Sequence, residues 1–365
     1  MKILIQYPLY GGIGGISRYI ENFLGEVNLD TNDEIILLTN SNFDEKIREN
    51  IKVIRIPLSA NRWGLFLWSI RSRQIINRLI KNKQVDLVNT HVPPLIPALL
   101  LWGCSYIVTL HGTLELHEMG RKLNPLERFT RSILESIILH NSKKIIVLTN
   151  RVADEIKRYN LNNNKISICP NSVDSNYFKS KKTQKIYDLI MIGRLVPEKG
   201  SKSIPLLCKQ LVKLKKNIRI AIVGAGQDFD YIKQQLVEEI RNKNVILFGE
   251  KKKTQVKAIY QKSKLYVSCS YYEGLPGTCL EAMSMSLPVI GWNKEFYDGL
   301  ILNNVNGYLI KTDDYMEMCK KVIYLLNNSH LLLKTGNNGR NIIIDKYDSK
   351  LISIKLEDIL LKYKR

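Results

Sequence analysis

The sequence predicts an α/β protein with two domains, each built on a parallel β-sheet of the Rossmann-like type. The chain has 365 residues, and because globular domains usually contain about 150 residues, two domains are expected. Short apolar runs alternate with amphipathic segments long enough to form crossover helices, which is typical of parallel strands covered on both faces. The alternation stops at residues 171–185, a polar and basic stretch without an apolar period. We therefore expect one domain on each side of this stretch, facing each other across a cleft that holds the ligands at the carboxyl ends of the strands.

The predicted strands form two groups around the polar stretch. Seven precede it: KILIQY, EIILLT, KVIRIP, DLVNT, YIVTL, KIIVLT and KISICP. Five follow it: DLIMIG, IRIAIVG, NVILFG, KLYVSCS and LPVIGW. Twelve strands are too many for one comfortable doubly wound sheet, so we assign one sheet to each group.

The composition excludes several classes of protein. Hydrophobic residues make up 45% and charged residues 24% of the chain, which rules out a disordered tail, a collagen-like fibre and a disulfide-stapled miniprotein. The six cysteines lie far apart, so we expect them to be small buried apolar residues in a reducing, cytoplasmic compartment. The first residues, MKILIQYPLYGG, lack the features of a signal peptide. The formal charge of +21 favours anionic partners: phosphates, nucleic acid or an anionic membrane.

The longest uncharged window, residues 92–110, has the length of a membrane span. It contains several residues that break helices, namely Pro93, Pro94, Pro97 and Gly103. We therefore expect a buried helix followed by the strand SYIVTL, and a protein that is soluble or peripheral to a membrane.

The loop after the first predicted strand, YPLYGGIGGISRYIENF, is rich in glycine. Gly11, Gly12, Gly14 and Gly15 allow a tight turn, and the helix that follows presents free N–H groups at its N-terminus. A dinucleotide-binding fingerprint is incomplete, because Ser17 occupies the position of its third glycine. We expect a substrate-facing turn here.

Two predicted strands are followed by histidine. His111 comes after YIVTL and precedes a glycine, where an imidazole can hydrogen-bond a polar ligand or stabilise developing charge. A structural hydrogen bond in the loop is the alternative, and the residues alone favour neither. His91 closes DLVNT, and the prolines after it favour a structural turn.

The loop MIGRLVPEKG, residues 191–200, places two cations next to the start of a helix. Arg194 and Lys199 form a potential anion site there, most simply for a diphosphate. The alternative is that both are solvated cations on a basic surface. Without other evidence, this alternative would be the preferred interpretation.

The segment SYYEGLPGTCLEAMSMSLPVIGW, residues 270–292, is the most informative. Glu273 ends a predicted strand, and a turn over residues 274–277 leads into a helix predicted for residues 278–285. Backbone N–H groups near Gly277 and Thr278 would face a phosphate. Glu281 lies in the first turns of the helix, within reach of a vicinal diol such as that of a ribose. Both glutamates are therefore predicted to bind hydroxyl groups, with two solvated side chains as the alternative.

Neither a metal nor a cofactor is expected. Asp228 and Asp230 resemble a DxD metal clamp, but they open a predicted helix, where aspartates complement the helix dipole. The sequence contains no Walker loop, GxxxxGK[ST].

Taken in order, these loops resemble the landmarks of the retaining glycosyltransferases of family 4 (glycosyl transferases group 1), which have the GT-B fold. The matching segments are the glycine turn at 14–15, TLHG at 109–112, PNSVD at 170–174, GRLVPEKG at 193–200, VGAG at 223–226 and EGLPGTCLEAM at 273–283. The last is similar to the E-x7-E signature of that family, with Glu273 and Glu281 as its acids. The resemblance covers nearly the whole chain. It is consistent with an acceptor-binding domain at 1–172, a donor-binding domain at 173–345 and a helix at 346–365 that returns toward the first domain.

The resemblance implies roles for individual residues. Arg194 and Lys199 should bind the diphosphate of a nucleotide-sugar donor, and Glu281 should bind its ribose. Glu273 should contact the donor sugar, with His111 over that sugar near the reacting carbon. The implied catalytic residues are His111, Glu273, Arg194 and Lys199, and the implied donor-binding residues are Gly14, Gly15, Arg194, Lys199, Glu273, Gly274, Leu275, Pro276, Gly277, Thr278 and Glu281.

Two positions depart from the pattern of the family. Ser172 stands where its NGVD segment has glycine, a change of little consequence. Pro276 stands where a glycine is usual and removes one possible amide donor, so the turn depends more on Gly277.

The reaction that the resemblance implies is sugar transfer with retention and without a metal, from a nucleotide-sugar donor to a hydroxyl of a glycan acceptor. A UDP-sugar donor, a lipid-diphosphate-linked acceptor and a role in bacterial surface polysaccharide synthesis are favoured. A GDP-mannose-dependent mannosyltransferase is the alternative donor assignment, and an epimerase or a glycogen-synthase-like polymerase is a rival within the fold. A basic nucleic-acid-binding protein is the alternative of another class. The scattered lysines and the lack of a zinc finger argue against a nucleic-acid partner.

Residues 61–83 favour an anionic membrane surface. They include six basic and no acidic residues, with Trp63 and Trp68 among them, which suits a helix in the membrane interface. An ordinary crossover helix that buries its isoleucines and leucines is the alternative. We expect peripheral attachment at the inner face of the cell membrane, with residues 125–140 as a further candidate helix at the acceptor site.

Overall fold

The computed structural model describes residues 2–10, 14–28, 33–40, 51–58, 64–91, 104–112 and 124–363. The chain divides into two compact units: unit 1 comprises Met1–Ser172 and Ser349–Arg365, and unit 2 comprises Val173–Asp348. Three features discussed above lie outside the described residues, namely the glycines at 11 and 12, residues 61–63 of the basic segment and the helix expected within residues 92–103.

Unit 1 contains a seven-stranded sheet in which all neighbouring strands are parallel. Its strands are β1 (Lys2–Gln6), β2 (Glu34–Asn40), β3 (Ile51–Ile56), β4 (Leu87–Thr90), β5 (Tyr106–Leu110), β6 (Lys144–Val147) and β7 (Ile166–Ile168). Their order is β3-β2-β1-β4-β5-β6-β7, so the first strand lies inside the sheet. Ile3 and Ile5 of β1 are completely buried, as expected for a strand covered on both faces.

The α-helices within the described residues of unit 1 before the polar stretch are α1 (Gly15–Glu26), α2 (Gly64–Lys81), α3 (Pro125–Asn141) and α4 (Asn150–Glu155). Helices α2 and α3 pack on the same face of the sheet, because Trp68 and Leu139 share one buried core with Val88 and Val108. Trp68 is completely buried in that core, so it is not available to a membrane surface. The prediction that counted Trp68 among the interfacial residues is wrong, since α2 turns this side of the helix toward the sheet.

Unit 2 contains a six-stranded sheet, again entirely parallel, in the order β10-β9-β8-β11-β12-β13. The strands are β8 (Tyr187–Ile192), β9 (Ile220–Val223), β10 (Val245–Leu247), β11 (Ser263–Ser268), β12 (Val289–Trp292) and β13 (Gly307–Ile310). The helices are α5 (Ser203–Leu214), α6 (Phe229–Gln235), α7 (Val237–Arg241), α8 (Lys253–Gln261), α9 (Gly277–Ser284), α10 (Tyr315–Asn327) and α11 (Ser329–Lys346). The two-sheet α/β architecture and all twelve predicted strands are confirmed.

Sequence analysis misses strand β13. This four-residue edge strand begins with the glycine of the Asn306–Gly307 pair, and such a pair by itself indicates a turn. Its pairing with β12, where Ile290 lies opposite Tyr308, supplies the missing information.

The last helix, α12 (Ser349–Leu361), belongs to unit 1. The hydroxyl of Ser349 donates a hydrogen bond to Oε1 of Glu26, the final residue of α1, at 3.1 Å. The helix starts after Asp348, because α11 continues to Lys346 and residues 347 and 348 pair with Val173 in unit 2. The acceptor and donor roles of the two units remain predictions.

Five of the six cysteines are buried, as predicted, but Cys104 is partly exposed, with its Sγ 3.5 Å from Oδ1 of Asn77. Cys104 lies two residues before β5, at the edge of the packed core, which explains the difference. No helix within the described residues is both long and apolar enough to cross a membrane.

Candidate active site

The candidate donor residues of unit 2 lie in loops that follow two neighbouring strands. Strands β8 and β11 pair in parallel, with Leu189 opposite Leu265. The loop after β8 carries Arg194 and Lys199, and the loop after β11 carries Glu273. Because the carboxyl ends of parallel strands share one edge of a sheet, the two loops meet at that edge.

Lys199 forms an ion pair with Glu273. Their side chains are largely buried, with exposed fractions of 20% and 14%. Ser270 donates a hydrogen bond from Oγ to Oε1 of Glu273 at 3.0 Å, so the carboxylate is held from two directions. Reduced contact with water strengthens such a pair. The structure thus brings together the predicted diphosphate cation and the predicted sugar contact.

Glu198, which sequence analysis does not single out, links the same two loops. Its carbonyl oxygen accepts hydrogen bonds from the backbone N–H groups of Tyr271 at 3.1 Å and Tyr272 at 3.2 Å. Its carboxylate pairs with Arg194 at 3.2 Å, and Arg194 is 59% exposed. Only the spacing of four residues between this arginine and glutamate could have indicated the pair from the sequence.

Helix α9 begins at Gly277 behind Pro276, which is its N-cap residue. The first N–H groups of a helix have no acceptor within it, and such groups attract phosphate. Thr278 shares a hydrogen bond of 2.9 Å between its Oγ1 and the hydroxyl of Tyr266, so the helix start is anchored on strand β11. Leu275 buries its side chain, and therefore could meet a ligand only through its backbone, while Gly274 is half-buried.

Glu281 is buried one turn further along α9. The hydroxyl of Tyr260 lies 3.4 Å from Oε2 of Glu281 and donates to the carbonyl oxygen of Thr278 at 2.9 Å. Burial, with the Glu281 carboxylate adding to it, raises the pKa of Tyr260 well above its usual value, so the phenol keeps its proton. The phenol has one proton, and the carbonyl oxygen of Thr278 is the nearer of its two acceptors, so the buried position of Glu281 on α9, more than the phenol, holds the carboxylate in place.

The VGAG segment after β9 packs directly against the loop that carries Arg194. Gly224 and Gly226 have positive φ values of 143° and 154°. A Cβ at these positions would overlap the carbonyl oxygens of Gly193 and Leu195, respectively. Glycine is therefore required at both positions for the two loops to approach each other.

In unit 1, His91 and His111 face each other, with Nδ1 of His91 3.0 Å from Nε2 of His111. His91 is completely buried, whereas His111 is partly exposed. Burial, with the neighbouring His111 adding to it, lowers the pKa of His91 well below its usual value, and burial lowers the pKa of His111 to about 3. Both imidazoles are therefore neutral near pH 7, and His91 is a partner of the candidate residue; the turn predicted from the prolines after His91 lies outside the described residues.

Gly14 and Gly15 lie at the start of α1, where Gly14 is the N-cap residue. Among the described residues, no atom lies within 4 Å of a Cβ built at either position. The substrate-facing role of this turn stays a prediction.

The DxD-like triplet has a structural role. The carboxylate of Asp228 accepts a hydrogen bond from the hydroxyl of Ser201, and Asp230 lies in the first turn of α6. In the described ranges, no group of three or more His, Cys, Asp or Glu side chains is arranged to hold a metal ion.

Two family models match successive parts of the chain. The model described as Glycosyltransferase Family 4 matches residues 13–177, and the model described as Glycosyl transferases group 1 matches residues 172–342. Together they span most of both units.

Two of the curated relatives match along nearly their whole length. An uncharacterized glycosyltransferase of Methanocaldococcus jannaschii is 24% identical over 345 residues, 93% of this chain and 92% of the relative. The UDP-Gal:alpha-D-GlcNAc-diphosphoundecaprenol alpha-1,3-galactosyltransferase of Escherichia coli is 24% identical over 380 residues, 97% of this chain and 94% of the relative.

Solved structures show the same fold. A sucrose-phosphate synthase from Thermosynechococcus elongatus superimposes with a TM-score of 0.84 at 16% identity, covering 99% of this chain and 98% of the other. The Anabaena protein HepE, in complex with UDP-glucose, superimposes with a TM-score of 0.78 at 15% identity, covering 99% and 100%.

Proposed function

Because this chain belongs to the glycosyltransferases of the group 1 and family 4 type and has the GT-B fold, we propose that it transfers a sugar, with retention, from a UDP-sugar to a hydroxyl of a lipid-diphosphate-linked glycan. The observation that carries the donor assignment is the cluster at one edge of the unit 2 sheet. There the Lys199–Glu273 pair lies beside the start of α9, with the buried Glu281 one turn behind it. A cation and free N–H groups suit a diphosphate, and fixed carboxylates suit hydroxyl groups.

The chemistry follows from charge that develops on the leaving diphosphate. Lys199 and Arg194 stabilise this charge, and the N–H groups at the start of α9 add to them. With no enzymatic nucleophile required, an oxygen of the diphosphate accepts the proton of the acceptor hydroxyl, which attacks from the same face of the sugar. His111, being neutral, hydrogen-bonds the donor sugar instead of contributing a charge. Since two side-chain cations supply the positive charge, we propose that the reaction needs no metal.

UDP is the nucleotide that the comparisons favour. The E. coli relative is named for UDP-Gal, and the HepE structure contains UDP-glucose. The E. coli relative is also named for a diphosphoundecaprenol-linked acceptor, which supports a lipid-linked acceptor and a role in bacterial surface polysaccharide synthesis. GDP-mannose remains the alternative donor.

Calorimetric titration with UDP, GDP and ADP in the presence of EDTA tests this assignment. We expect UDP alone to bind the wild type. Glu281→Ala should weaken UDP binding about tenfold or more, because a hydrogen bond to a charged group contributes about 1.5–3 kcal/mol. Glu238→Ala, which removes an exposed glutamate of α7, is the matched control and should bind UDP as the wild type does. If none of the three nucleotides binds, the assignment of this site to a nucleotide-sugar donor is wrong. Tight binding of GDP would instead identify GDP-mannose as the donor.

We further propose that unit 1 attaches to the inner, anionic face of the cell membrane. The first turns of α2 expose three consecutive apolar residues, Leu65, Phe66 and Leu67. Helix α3 exposes a stripe at helical spacing, Leu126, Phe129, Ile133 and Ile137, of which Leu126 is 74% and Phe129 is 65% exposed. Exposed apolar residues in such a stripe mark an interaction surface.

The topology places both apolar segments at the same end of unit 1. Each helix leads from the carboxyl end of one parallel strand back to the amino end of the next, so its first turns lie at the carboxyl edge of the sheet. Helices α2 and α3 also cover the same face of the sheet, so Leu65–Leu67 and Leu126–Phe129 lie on the same side and at the same end of unit 1. Basic residues lie next to these segments, Arg71 one turn after Leu67 on α2 and Arg128 and Arg131 on α3, and these suit anionic lipid headgroups.

Flotation with phosphatidylglycerol-containing vesicles tests the attachment. The wild type should float at low salt and lose binding as salt screens the arginines. Leu126→Ser with Phe129→Ser should lower partitioning about tenfold or more, because burying one such side chain contributes about 1.5–3 kcal/mol. Leu333→Ser, at a position on α11 of unit 2 that is 62% exposed, is the control. If the wild type does not float at low salt, or if Leu333→Ser lowers partitioning as much as the double variant of α3, the proposed membrane attachment of unit 1 is wrong.

A further inference from the structure

His91 is the polar partner of His111 that no motif predicts. Strands β4 and β5 are neighbours in the sheet, with Thr90 opposite Val108, and each is followed immediately by a histidine. The result is two imidazoles in contact at the carboxyl edge of unit 1, 3.0 Å apart between Nδ1 of His91 and Nε2 of His111.

The surroundings hold both rings in one arrangement. Tyr19 of α1 is buried against them, with ring centroids 5.1 Å from His111 and 5.6 Å from His91, and it meets His111 edge to face. The backbone N–H of His91 donates to the carbonyl oxygen of Gln6 at 3.0 Å, which fixes the position of its residue. Within the two strands, Oγ1 of Thr109 in β5 donates a hydrogen bond to Oδ1 of Asn89 in β4 at 2.9 Å. The ends of β4 and β5 are therefore also linked by side chains.

The contact between the two rings has a chemical consequence. At 3.0 Å one nitrogen must carry the hydrogen and the other must accept it, so the tautomers of the two imidazoles are coupled. Nε2 of His111 is committed to His91, and only Nδ1 of His111 can interact with another molecule. His91 is buried and has no exposed side to offer a ligand itself.

We propose that His91 is a positioning residue that holds His111 in one tautomer and one orientation, with Nε2 engaged by His91 and Nδ1 presented to the donor sugar. The part that concerns the sugar rests on the function proposed above. The part that concerns the pair of histidines rests on the geometry of unit 1 alone.

Substitutions that mimic one ring nitrogen at a time separate the two nitrogens. The amide of asparagine reaches the place of Nδ1, and that of glutamine reaches the place of Nε2. His111→Asn should therefore keep more activity than His111→Gln, measured as release of UDP from UDP-glucose, UDP-galactose or UDP-N-acetylglucosamine.

At the other position, His91→Asn keeps a group where Nδ1 contacts His111, whereas His91→Leu removes it. We expect His91→Leu to lower kcat between about 10- and 100-fold, the loss typical of a displaced reacting group, and His91→Asn to restore most of it.

Histidine-selective 15N NMR reads the tautomer directly, since the chain has five histidines. The wild type should show His111 in a single tautomer, and His91→Leu should shift the ring nitrogens of His111 toward the averaged values of a free imidazole. His91→Asn should stay close to the wild type. UDP affinity and the thermal unfolding midpoint of each variant check that the chain remains folded.

The outcomes are separable. Unchanged 15N shifts of His111 in His91→Leu would overturn the proposal, and so would equal or better activity of His111→Gln than of His111→Asn. If no nucleotide sugar is turned over by the wild type, the proposed function fails, while the 15N shifts still decide whether His91 holds His111.

Discussion

Replacing Lys199 with alanine is expected to lower kcat about 30- to 800-fold, the equivalent of about 2–4 kcal/mol of transition-state stabilisation. The ammonium group of Lys199 is largely buried against Glu273, in a setting where water weakens its field less than at the surface. The proposed reaction places negative charge on the diphosphate in the transition state, so the loss should fall on kcat more than on binding of UDP. Steady-state kinetics with a UDP-sugar, together with calorimetry for UDP, measure both.

Two further variants sharpen this result. Both cations pair with a carboxylate, but Arg194 is 59% exposed and Lys199 only 20%, so water screens the charge of Arg194 more strongly and Arg194→Ala should cost less than Lys199→Ala. Lys202→Ala removes an exposed lysine three residues along the same loop and should leave kcat unchanged. Wild-type turnover in both Arg194→Ala and Lys199→Ala would contradict the assignment of this loop to the diphosphate.

The strands could be predicted from the sequence because burial on both faces of a parallel sheet demands continuous apolar runs. The run KILIQY, for example, becomes β1 with Leu4 and Ile5 completely buried. Strand β13 could not be predicted, because its four residues begin at the glycine of an Asn-Gly pair, carry no such run and depend on β12 for their pairing. The helix boundaries after Asp228 could not be predicted either. The sequence pattern there indicates one continuous helix, whereas the structure has two, α6 and α7.

The positions of the candidate residues follow from the fold class, but their partners do not. Loops after parallel strands gather at one edge, and this much places Lys199 near Glu273. The ion pair between these two side chains depends on the distance between segments that are far apart in the chain. The same is true of the hydrogen bonds by which the carbonyl oxygen of Glu198 links the two loops. His91 illustrates the same limit: the prolines behind it indicate a turn, and only the neighbouring strand reveals His111 opposite its ring.

Gly200→Ala is expected to lower the free energy of unfolding of unit 2 by roughly 3–5 kcal/mol. Gly200 has a φ of +67°, in the left-handed region that alanine adopts at a cost. A Cβ there would also overlap the backbone carbonyl of Cys269, at the end of the strand that leads to Glu273. The backbone of the buried Cys269, which directly follows β11, cannot move aside as a flexible side chain can, so the overlap must displace the loop. Urea denaturation followed by circular dichroism measures the loss.

Gly249→Ala separates the two causes of that loss. Gly249 has nearly the same φ, +68°, but the nearest atom to a Cβ there is Cε2 of Phe229 at 3.9 Å, an ordinary contact. This variant should therefore lose only the conformational cost, about 1 kcal/mol. The overlap at Gly200 also acts on function, because the residue directly before it is Lys199 and the atoms it would displace lead to Glu273. Gly200→Ala should thus weaken UDP binding while Gly249→Ala does not, and equal losses of stability in the two variants would show that the close approach of Gly200 to Cys269 does not constrain the loop.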